Sequence, residues 1–372
     1  MNAFLAFRRV LLPFVLGIFP VFGVSAAETS TVTARINAVM ERYAPDLSGV
    51  VLVATRGVPV FEHAYGQRNV AANKPTAPDS IFELASLSKE FTAMSVMMLK
   101  EQGKLSYDDA VDRFIPGLPF PGITIRHLFT HTSGIPDYEK VMDEHWNKAK
   151  LARNADIIAA YQQYRPTRRF APGDKYEYSN GGYVLLASIV ENVSGQDFGA
   201  FVREHIFKPV GMIDTDVRSP ADWDRIDRFA LGYVPDKQNG QLVRASSLPS
   251  AAYSAYLAGR HGPGRVSSTV GDLLKWDRVL YTEKLIPKAS LEEAYKPMRL
   301  NSGALSQYGL GWMLGTDPQL GRIVRHTGHN PGYANHIIRM IDKDFTIIIL
   351  TNNNFEPLDA LSKDLMAALA AK

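Results

Sequence analysis

The sequence contains no cysteine in its 372 residues. Without thiols the chain forms no disulfide bonds, and a catalytic thiolate or a cysteine-ligated zinc site is excluded. A chain of this length buries enough apolar surface to be stable on its core alone. Any nucleophile must therefore be sought among hydroxyl, amine and carboxylate side chains.

Long hydrophobic runs are also missing, apart from one near the N-terminus. Residues 10–24 are almost all apolar, follow two arginines and lead into small residues at Ala26 and Ala27. An apolar run of about 15 residues is too short for a bilayer span, which needs roughly 20. The pattern predicts that residues 1–27 are a signal peptide cleaved near Ala26 or Ala27. We therefore expect a periplasmic or secreted protein without stable membrane insertion.

A marked excess of one charge is absent as well. The chain has 41 Lys and Arg against 38 Asp and Glu, which gives a formal net charge of +3. Nucleic acids and anionic membrane surfaces attract strongly basic proteins. The near balance argues against nucleic acid or an anionic membrane surface as a partner.

Several common catalytic motifs do not occur. There is no Gly-x-Ser-x-Gly nucleophile elbow and no glycine-rich phosphate loop. His127 and His131 have the i, i+4 spacing of a zinc pair, but Leu128 stands where a helical zinc protease needs Glu. We therefore expect neither a metal ion nor another cofactor.

What the sequence does contain is strand patterns near both ends and helical patterns between them. Helices are predicted at 33–43, 88–102 and 357–370, a hairpin at 48–65, and further strands at 309–314, 322–327, 333–341 and 345–352. This order predicts an α+β fold, in which an antiparallel sheet is flanked by the N- and C-terminal helices and a mostly helical domain is inserted. We assign residues 28–80 plus 256–372 to the sheet domain and 81–255 to the insert, with the active site in the cleft between them.

Ser86-Leu87-Ser88-Lys89 is the one Ser-x-x-Lys sequence in the chain. Ser86 would stand at a helix N-terminus, where free backbone N–H groups and the helix dipole favour developing negative charge. A spacing of three residues is nearly one helical turn, so the Lys89 amine can reach the Ser86 hydroxyl. Burial would lower the lysine pKa and make the amine a base. The alternative reading is a capping serine followed by a surface lysine.

Two further short motifs carry polar groups suited to acyl transfer. Tyr178-Ser179-Asn180 offers a hydroxyl that can relay a proton and an amide that can bind both an amine and a carbonyl. His326-Thr327-Gly328 ends a predicted strand, and Gly328 lets a ligand approach the backbone closely. Each motif alone is also consistent with an ordinary loop or strand end.

Taken in this order, the three motifs resemble those of the serine β-lactamase and penicillin-binding protein superfamily. Similar stretches run through nearly all of residues 30–355, and the resemblance extends to the class C β-lactamase, D-alanyl-D-alanine carboxypeptidase and esterase branch. It implies that Ser86 is acylated and that Lys89 and Tyr178 move protons. The backbone amides of Ser86 and His329 would form an oxyanion hole. Substrate would bind at Asn180, His326, Thr327 and Gly328.

One departure from the family pattern bears on the substrate. β-Lactamases of this superfamily usually have Lys where this chain has His326. The His-Thr-Gly sequence of this chain instead resembles the corresponding motif of carboxypeptidase-type and esterase-type members. We therefore expect a carboxypeptidase- or esterase-like serine hydrolase with weak β-lactamase activity, in which His326 donates a hydrogen bond to the substrate carboxylate or to the leaving group. The alternatives are a true class C-type β-lactamase and a penicillin-binding sensor that acylates without turnover.

Overall fold

The computed structural model describes residues 26–236 and 240–371. The predicted signal peptide lies outside these residues except for Ala26 and Ala27, which begin the first helix. Nowhere in the described ranges does a helix combine the length and the apolar character needed to cross a bilayer.

The strands fall into one large sheet and several small ones. Their bounds are β1 Gly49–Thr55, β2 Val58–Tyr65, β3 Gln67–Asn69, β4 Lys74–Pro75, β5 Phe82–Glu83, β6 Asp216–Val217, β7 Tyr233–Pro235, β8 Leu242–Arg244, β9 Val266–Ser268, β10 Met313–Asp317, β11 Gly321–Asn330, β12 Tyr333–Met340 and β13 Phe345–Thr351.

One helix lies near each end of the chain, and most of the others lie in sequence between β2 and β10 of the large sheet. Their bounds are α1 Ala26–Tyr43, α2 Ser88–Glu101, α3 Ile125–Phe129, α4 Tyr138–His145, α5 Asn154–Tyr164, α6 Asn180–Ser194, α7 Phe198–Val202, α8 Lys208–Val210, α9 Pro220–Trp223, α10 Tyr253–Tyr256, α11 Val270–Val279, α12 Lys288–Ala294 and α13 Leu358–Ala370.

The large sheet has the order β10-β11-β12-β13-β1-β2, and all of its pairings are antiparallel. Its β13-β1 pair joins strands from near the two ends of the chain, because Gly49 pairs with Thr351 and Thr55 with Phe345. Every residue of β1 is buried, as expected for a central strand covered on both faces. The predicted hairpin and the antiparallel sheet are confirmed.

The two faces of this sheet contribute to two different hydrophobic cores. On one face, Ile36 of α1 and Leu361 of α13 pack with Val51 and Ile347. On the other face, Val50 and Leu52 belong to a larger core that also contains residues of α2, α6 and α11. This arrangement confirms a sheet flanked by the terminal helices, with the helical middle of the chain on its other face.

A small three-stranded sheet, in the order β5-β9-β6, adjoins the candidate site. Phe82 pairs with Ser268, and Asp216 pairs with Ser267. Strand β5 leads directly into the segment that contains Ser86, so its pairing fixes where that segment begins. The larger core includes residues from both predicted domains, and the division at residues 80 and 256 stays a prediction.

Candidate functional site

Ser86 lies in a single 3-10 turn, Ala85–Leu87, directly before α2. The helix itself begins at Ser88, as the sequence predicts, and Ser86 lies in the turn at its N-terminus. Ala85 has φ of +51°, in the left-handed region that costs energy for a residue with a Cβ. Observed strain of this kind concentrates at functional sites, where the surrounding structure holds it in place.

Lys89 lies within α2 and is completely buried, with an exposed fraction of 0%. Its Nζ atom lies 2.9 Å from Ser86 Oγ, 2.9 Å from Asn180 Oδ1 and 3.0 Å from the carbonyl oxygen of Pro263. These are hydrogen-bond distances for all three contacts. Burial lowers the pKa of Lys89 well below its usual value, and the positive charge of Arg260 lowers it further against a smaller opposing effect of Glu139.

The partners of Lys89 decide where its lone pair points once the amine is neutral. A neutral amine has two N–H bonds and one lone pair. The Asn180 Oδ1 and Pro263 carbonyl oxygens can only accept hydrogen bonds, so they take the two N–H groups. The lone pair then faces Ser86 Oγ, and the serine hydroxyl becomes the donor. In its neutral form, Lys89 is therefore oriented to accept the serine proton.

The Tyr178-Ser179-Asn180 loop brings a phenol and an amide to the same place. Asn180 is the first residue of α6, and Ser179 caps that helix by accepting a hydrogen bond from the N–H of Gly182 at 3.3 Å. The Tyr178 hydroxyl interacts with Ser86, and burial, which is the larger effect, raises its pKa above the usual value. Although the residue as a whole is 38% exposed, its hydroxyl group is buried. Tyr178 therefore stays protonated at neutral pH and can donate a proton.

His131 fixes the backbone of this loop through two hydrogen bonds, a role that the sequence did not predict. Its Nδ1 accepts a hydrogen bond from the N–H of Ser179 at 3.0 Å, and its carbonyl accepts one from the N–H of Glu177 at 2.8 Å. The imidazole is fully buried, and its ring centroid lies 4.3 Å from that of Tyr178. Burial, followed by the charge of Lys89, lowers the pKa of His131 well below its usual value.

The zinc-pair alternative for His127 and His131 receives no support from this geometry. Helix α3 ends at Phe129, before His131. His127 Nδ1 accepts a hydrogen bond from the N–H of Thr124 at 3.1 Å, and His131 faces the Ser179 loop. Among the described residues, Glu191, Asp197 and His261 form the group whose ligand atoms lie close enough to hold a metal ion, and they lie outside the candidate site.

Strand β11 comes into backbone contact with the segment that leads into Ser86. A Cβ placed on Gly328 would lie 2.1 Å from the carbonyl oxygen of Leu84 and 2.9 Å from Leu87 Cδ1. Real Cβ contacts are never that short, so this position requires glycine. The predicted close approach at Gly328 is thus to the protein's own backbone, and it sets the end of β11 against the Ser86 turn.

A cavity of about 120 Å³ opens beside Ser86. Its lining is mostly polar and consists of Ala85, Ser86, Glu139, Asn180, Tyr253, Arg260, Pro263, Gly264, His329 and Asn330. Three predicted site residues, Ser86, Asn180 and His329, therefore line one space. Thr327 lies half-buried on β11, beside His326, and its predicted contact with substrate stays a prediction.

His326 lies on β11, and its side chain is fully buried. Its Nδ1 lies 2.7 Å from the carbonyl oxygen of Thr327, which can only accept, and its Nε2 lies 2.8 Å from the hydroxyl of Tyr308. The ring is thus the Nδ1–H tautomer, with both nitrogens engaged. Burial and the charge of Lys89 lower the pKa of His326 to about 3. Both ring nitrogens of His326 are thus bonded within the protein, and its contact with a substrate carboxylate or the leaving group stays a prediction.

Comparisons with known proteins agree with the fold. The family model described as "Beta-lactamase" matches residues 36–372. Penicillin-binding protein 4* of Bacillus subtilis is 43% identical over 309 residues, which are 82% of this chain and 68% of that protein. A D-aminopeptidase of Gluconobacter oxydans is 25% identical over 350 residues, which are 90% of this chain and 61% of that protein. The chain thus spans roughly two thirds of the length of these relatives.

A solved structure shows the same fold over nearly the whole chain. The penicillin-binding protein from Bacillus halodurans superposes with a TM-score of 0.75 at 26% sequence identity, and the match covers 90% of this chain and 98% of that one. The α+β architecture predicted from the sequence is confirmed by this likeness.

Proposed function

Because the chain belongs to the Beta-lactamase family of serine hydrolases, we propose that it hydrolyses amide or ester bonds through an acyl-enzyme on Ser86. The proposed activity is like that of D-alanyl-D-alanine carboxypeptidases and esterases, with weak β-lactamase activity as a side reaction. Penicillin-binding protein 4* and a D-aminopeptidase are among its relatives. Their names support acyl transfer on small amide substrates, and they leave the acyl group open.

The contacts of Lys89 carry this proposal. The side chain is 0% exposed, its pKa is lowered, and two obligate acceptors aim its lone pair at Ser86 Oγ. A surface lysine beside a capping serine would show none of these features. An activated serine needs a base within about 2.6–3.2 Å of its hydroxyl, and Nζ lies 2.9 Å from Oγ.

The first half of the proposed reaction is acylation. Lys89 takes the proton of the Ser86 hydroxyl as Oγ forms a bond to the substrate carbonyl carbon. The carbonyl oxygen becomes an oxyanion, which the backbone N–H groups of Ser86 and His329 stabilise. The bond to the leaving group then breaks, and Tyr178 gives its proton to the departing nitrogen or oxygen. Lys89 returns a proton to Tyr178, which leaves an ester on Ser86.

Deacylation repeats these steps with water in place of the serine. The water gives up a proton to Lys89 and attacks the ester carbonyl, and as the bond to Ser86 Oγ breaks, the protonated Lys89 returns that proton to Ser86. Asn180 supports both halves, because its Oδ1 is occupied by Lys89 while its NH₂ group remains available to donate to the substrate carbonyl.

The state of His326 bears on the alternative of a true class C-type β-lactamase. A lysine at that position supplies a cation near the substrate carboxylate. His326 is neutral and bonded through both nitrogens, so it supplies none. We therefore propose that β-lactams are turned over slowly at most. The deacylation rate distinguishes the hydrolase from a penicillin-binding sensor, because a sensor would be acylated without turnover.

The proposal is tested with Ser86→Ala. The variant should lose both turnover and covalent labelling by a fluorescent penicillin or a fluorophosphonate, while thermal unfolding confirms that it is folded. Wild-type deacylation rates should be measured on a D-Ala-D-Ala peptide, a chromogenic cephalosporin and p-nitrophenyl esters. Labelling of a different serine would refute the assignment, and a burst without steady turnover would favour the sensor.

We also propose that the protein is exported, because of the charge and apolar pattern of residues 1–27. Its substrates would then be small molecules or peptides in the periplasm or outside the cell. N-terminal sequencing of the exported form should begin near Ala27 or Glu28. A chain that keeps residue 1 and stays in the membrane fraction would contradict this.

A further inference from the structure

The two proposed oxyanion donors come from segments that are far apart in the chain. The N–H of Ser86 belongs to the turn after β5, and the N–H of His329 belongs to the end of β11. An oxyanion is stabilised when both donors lie within about 2.7–3.1 Å of it. The end of β11 must therefore be held at a fixed place relative to the segment that leads into Ser86.

The pairing of β11 with β12 directs the His329 N–H out of the ladder. His329 lies opposite Ala334, and the N–H of Ala334 donates to Thr351 Oγ1 at 3.0 Å, on the far side of β12. In an antiparallel ladder, two facing residues either bond each other or both point outward. The N–H of His329 therefore points away from β12, and His329 also lines the cavity beside Ser86.

Glu83 and Asn330 connect the two segments directly. Asn330 Nδ2 lies 2.8 Å from Glu83 Oε1 and 2.6 Å from Glu83 Oε2, so the amide donates to the carboxylate. Glu83 is three residues before Ser86, and Asn330 follows His329. Glu83 is only 1% exposed. A buried hydrogen bond to a charged acceptor is stronger than one between neutral groups, so this contact fixes the end of β11 firmly.

Other contacts keep Glu83 itself in place. Its backbone pairs with Ser267 of β9, and its carbonyl oxygen accepts a hydrogen bond from Asn335 Nδ2 of β12 at 2.8 Å. Burial lowers the pKa of Arg265, and the charge of Glu83 opposes that shift, so a cation lies near the carboxylate. Glu83 is therefore a fixed point to which the end of β11 is attached.

Within the described ranges, Glu83 does not line the cavity beside Ser86. It lines a separate cavity of about 20 Å³ together with Arg265 and Asn330, a volume with room for about one water molecule. Asn330 lines both cavities, so its side chain lies between Glu83 and the substrate space. Glu83 can therefore act on the reaction only through Asn330 and the backbone to which Asn330 belongs.

From this arrangement we infer that Glu83 is a positioning residue for the oxyanion hole. By holding Asn330, it keeps the N–H of His329 at the distance from the N–H of Ser86 at which both can donate to one oxyanion. Without this contact, the end of β11 would keep its pairing with β12 but would be free to shift relative to Ser86. The inference rests on the proposed acyl-enzyme at Ser86.

The test compares kcat/KM for a p-nitrophenyl ester and for the same ester with C=S in place of C=O. Sulfur is larger and a weaker hydrogen-bond acceptor than oxygen, so the wild type should prefer the oxygen ester. Glu83→Leu and Asn330→Ala should each lower this preference at least about tenfold, mainly through kcat, since a misplacement of about 1 Å can cost 10²-fold. Glu83→Gln keeps one acceptor for Asn330 and should retain part of the preference.

Two further variants separate positioning from a general loss of stability. Glu191→Gln is the matched control, because Glu191 also accepts a hydrogen bond, from the N–H of Phe198 at 3.1 Å, but lies about three turns beyond Asn180 on α6. It should leave the preference unchanged. The double variant of Glu83 and Asn330 should lose no more than either single variant, because both remove one contact. Asn330→Ala keeps the test valid if Glu83→Leu does not fold, since Asn330 is only half-buried.

Two results would overturn the inference while leaving the acyl-enzyme intact. One is an equal loss on both esters in the Glu83 and Asn330 variants, as a purely structural role would give. The other is a Glu83→Gln variant faster than the wild type, which would mean that the carboxylate charge opposes the oxyanion more than its contact positions the donors. If a fluorophosphonate does not label Ser86 and the wild type hydrolyses neither ester, the proposed function itself fails.

Discussion

His131 Nδ1 accepts a hydrogen bond from the backbone N–H of Ser179 at 3.0 Å. Its carbonyl accepts a second bond from the N–H of Glu177. One buried residue therefore holds the backbone on both sides of Tyr178. Its φ of +57° places the side chain and the carbonyl so that both bonds form, at the cost of a left-handed backbone that few residue types tolerate.

Replacing His131 should therefore affect the chemistry more than substrate binding. His131→Phe removes the acceptor, leaves the N–H of Ser179 unpaired at a cost of about 1–3 kcal/mol, and frees Tyr178 to move. We expect kcat to fall at least about tenfold, with a smaller change in KM. His131→Asn is the matched control, because asparagine offers an acceptor near the Nδ1 position and tolerates positive φ. Equal losses in the two variants would show that the bond to Ser179 is unimportant.

Lys89 and Tyr178 should act as one unit. Lys89→Ala and Tyr178→Phe are each expected to lower the acylation rate by at least about 10²-fold, the usual scale for acid–base groups. Because both serve the same proton path, the double variant should lose far less than the product of the two effects. Stopped-flow acylation with a chromogenic cephalosporin measures all four rates. Full multiplicativity would mean that the two residues act independently.

The pH dependence of kcat/KM should follow Lys89 and not His326. The lowered pKa of Lys89 means that the amine is neutral over a wide range, and activity should fall as pH drops through that pKa because the lone pair is then protonated. His326, with a pKa of about 3, should contribute no inflection between about pH 5 and 8. Profiles for the wild type and His326→Gln test this. An acid limb near pH 6.5 that disappears in the variant would support the substrate role of His326.

Gly328→Ala should damage the site by pushing β11 away from the Ser86 turn. The added methyl would overlap the Leu84 carbonyl oxygen, and overpacking of this kind costs about 1–3 kcal/mol. We expect a lower free energy of unfolding and a loss of kcat. Gly271→Ala serves as the control, because its nearest atom is 3.9 Å away and alanine favours helix α11. If both variants keep wild-type activity, the close approach has no catalytic consequence.

Local sequence patterns were sufficient to predict the sheet and its flanking helices. The hairpin 48–65 alternates around Arg56-Gly57, and the structure has β1 and β2 there. The strand predicted at 309–314 was displaced, since β10 covers Met313–Asp317. The residues before it are held by contacts such as that of Gly309 N with Trp312 O. A strand's bounds depend on its partner, here β11, and the partner is not visible in a local pattern.

The site was less predictable, because its electrostatics depend on contacts between distant segments. Nothing near His326 in the sequence indicates that Tyr308 donates to its ring. Likewise, the hydrogen bond between His131 and Ser179 and the ion pair between Glu139 and Arg260 each connect residues that are far apart in the chain. The motifs indicated which side chains take part, but the protonation state of each depends on burial that only the folded chain creates.

The pairing of β1 with β13 has a consequence for how the enzyme matures. The hydrogen bonds of Lys89 need segments around residues 86, 180 and 263. These segments pack on a sheet in which β1 can pair with β2 early but cannot pair with β13 before residues 345–351 exist. Long-range pairings of this kind form late and slowly. A premature stop codon between β12 and β13 would therefore yield a chain that still contains every residue proposed for catalysis and yet has no working active site.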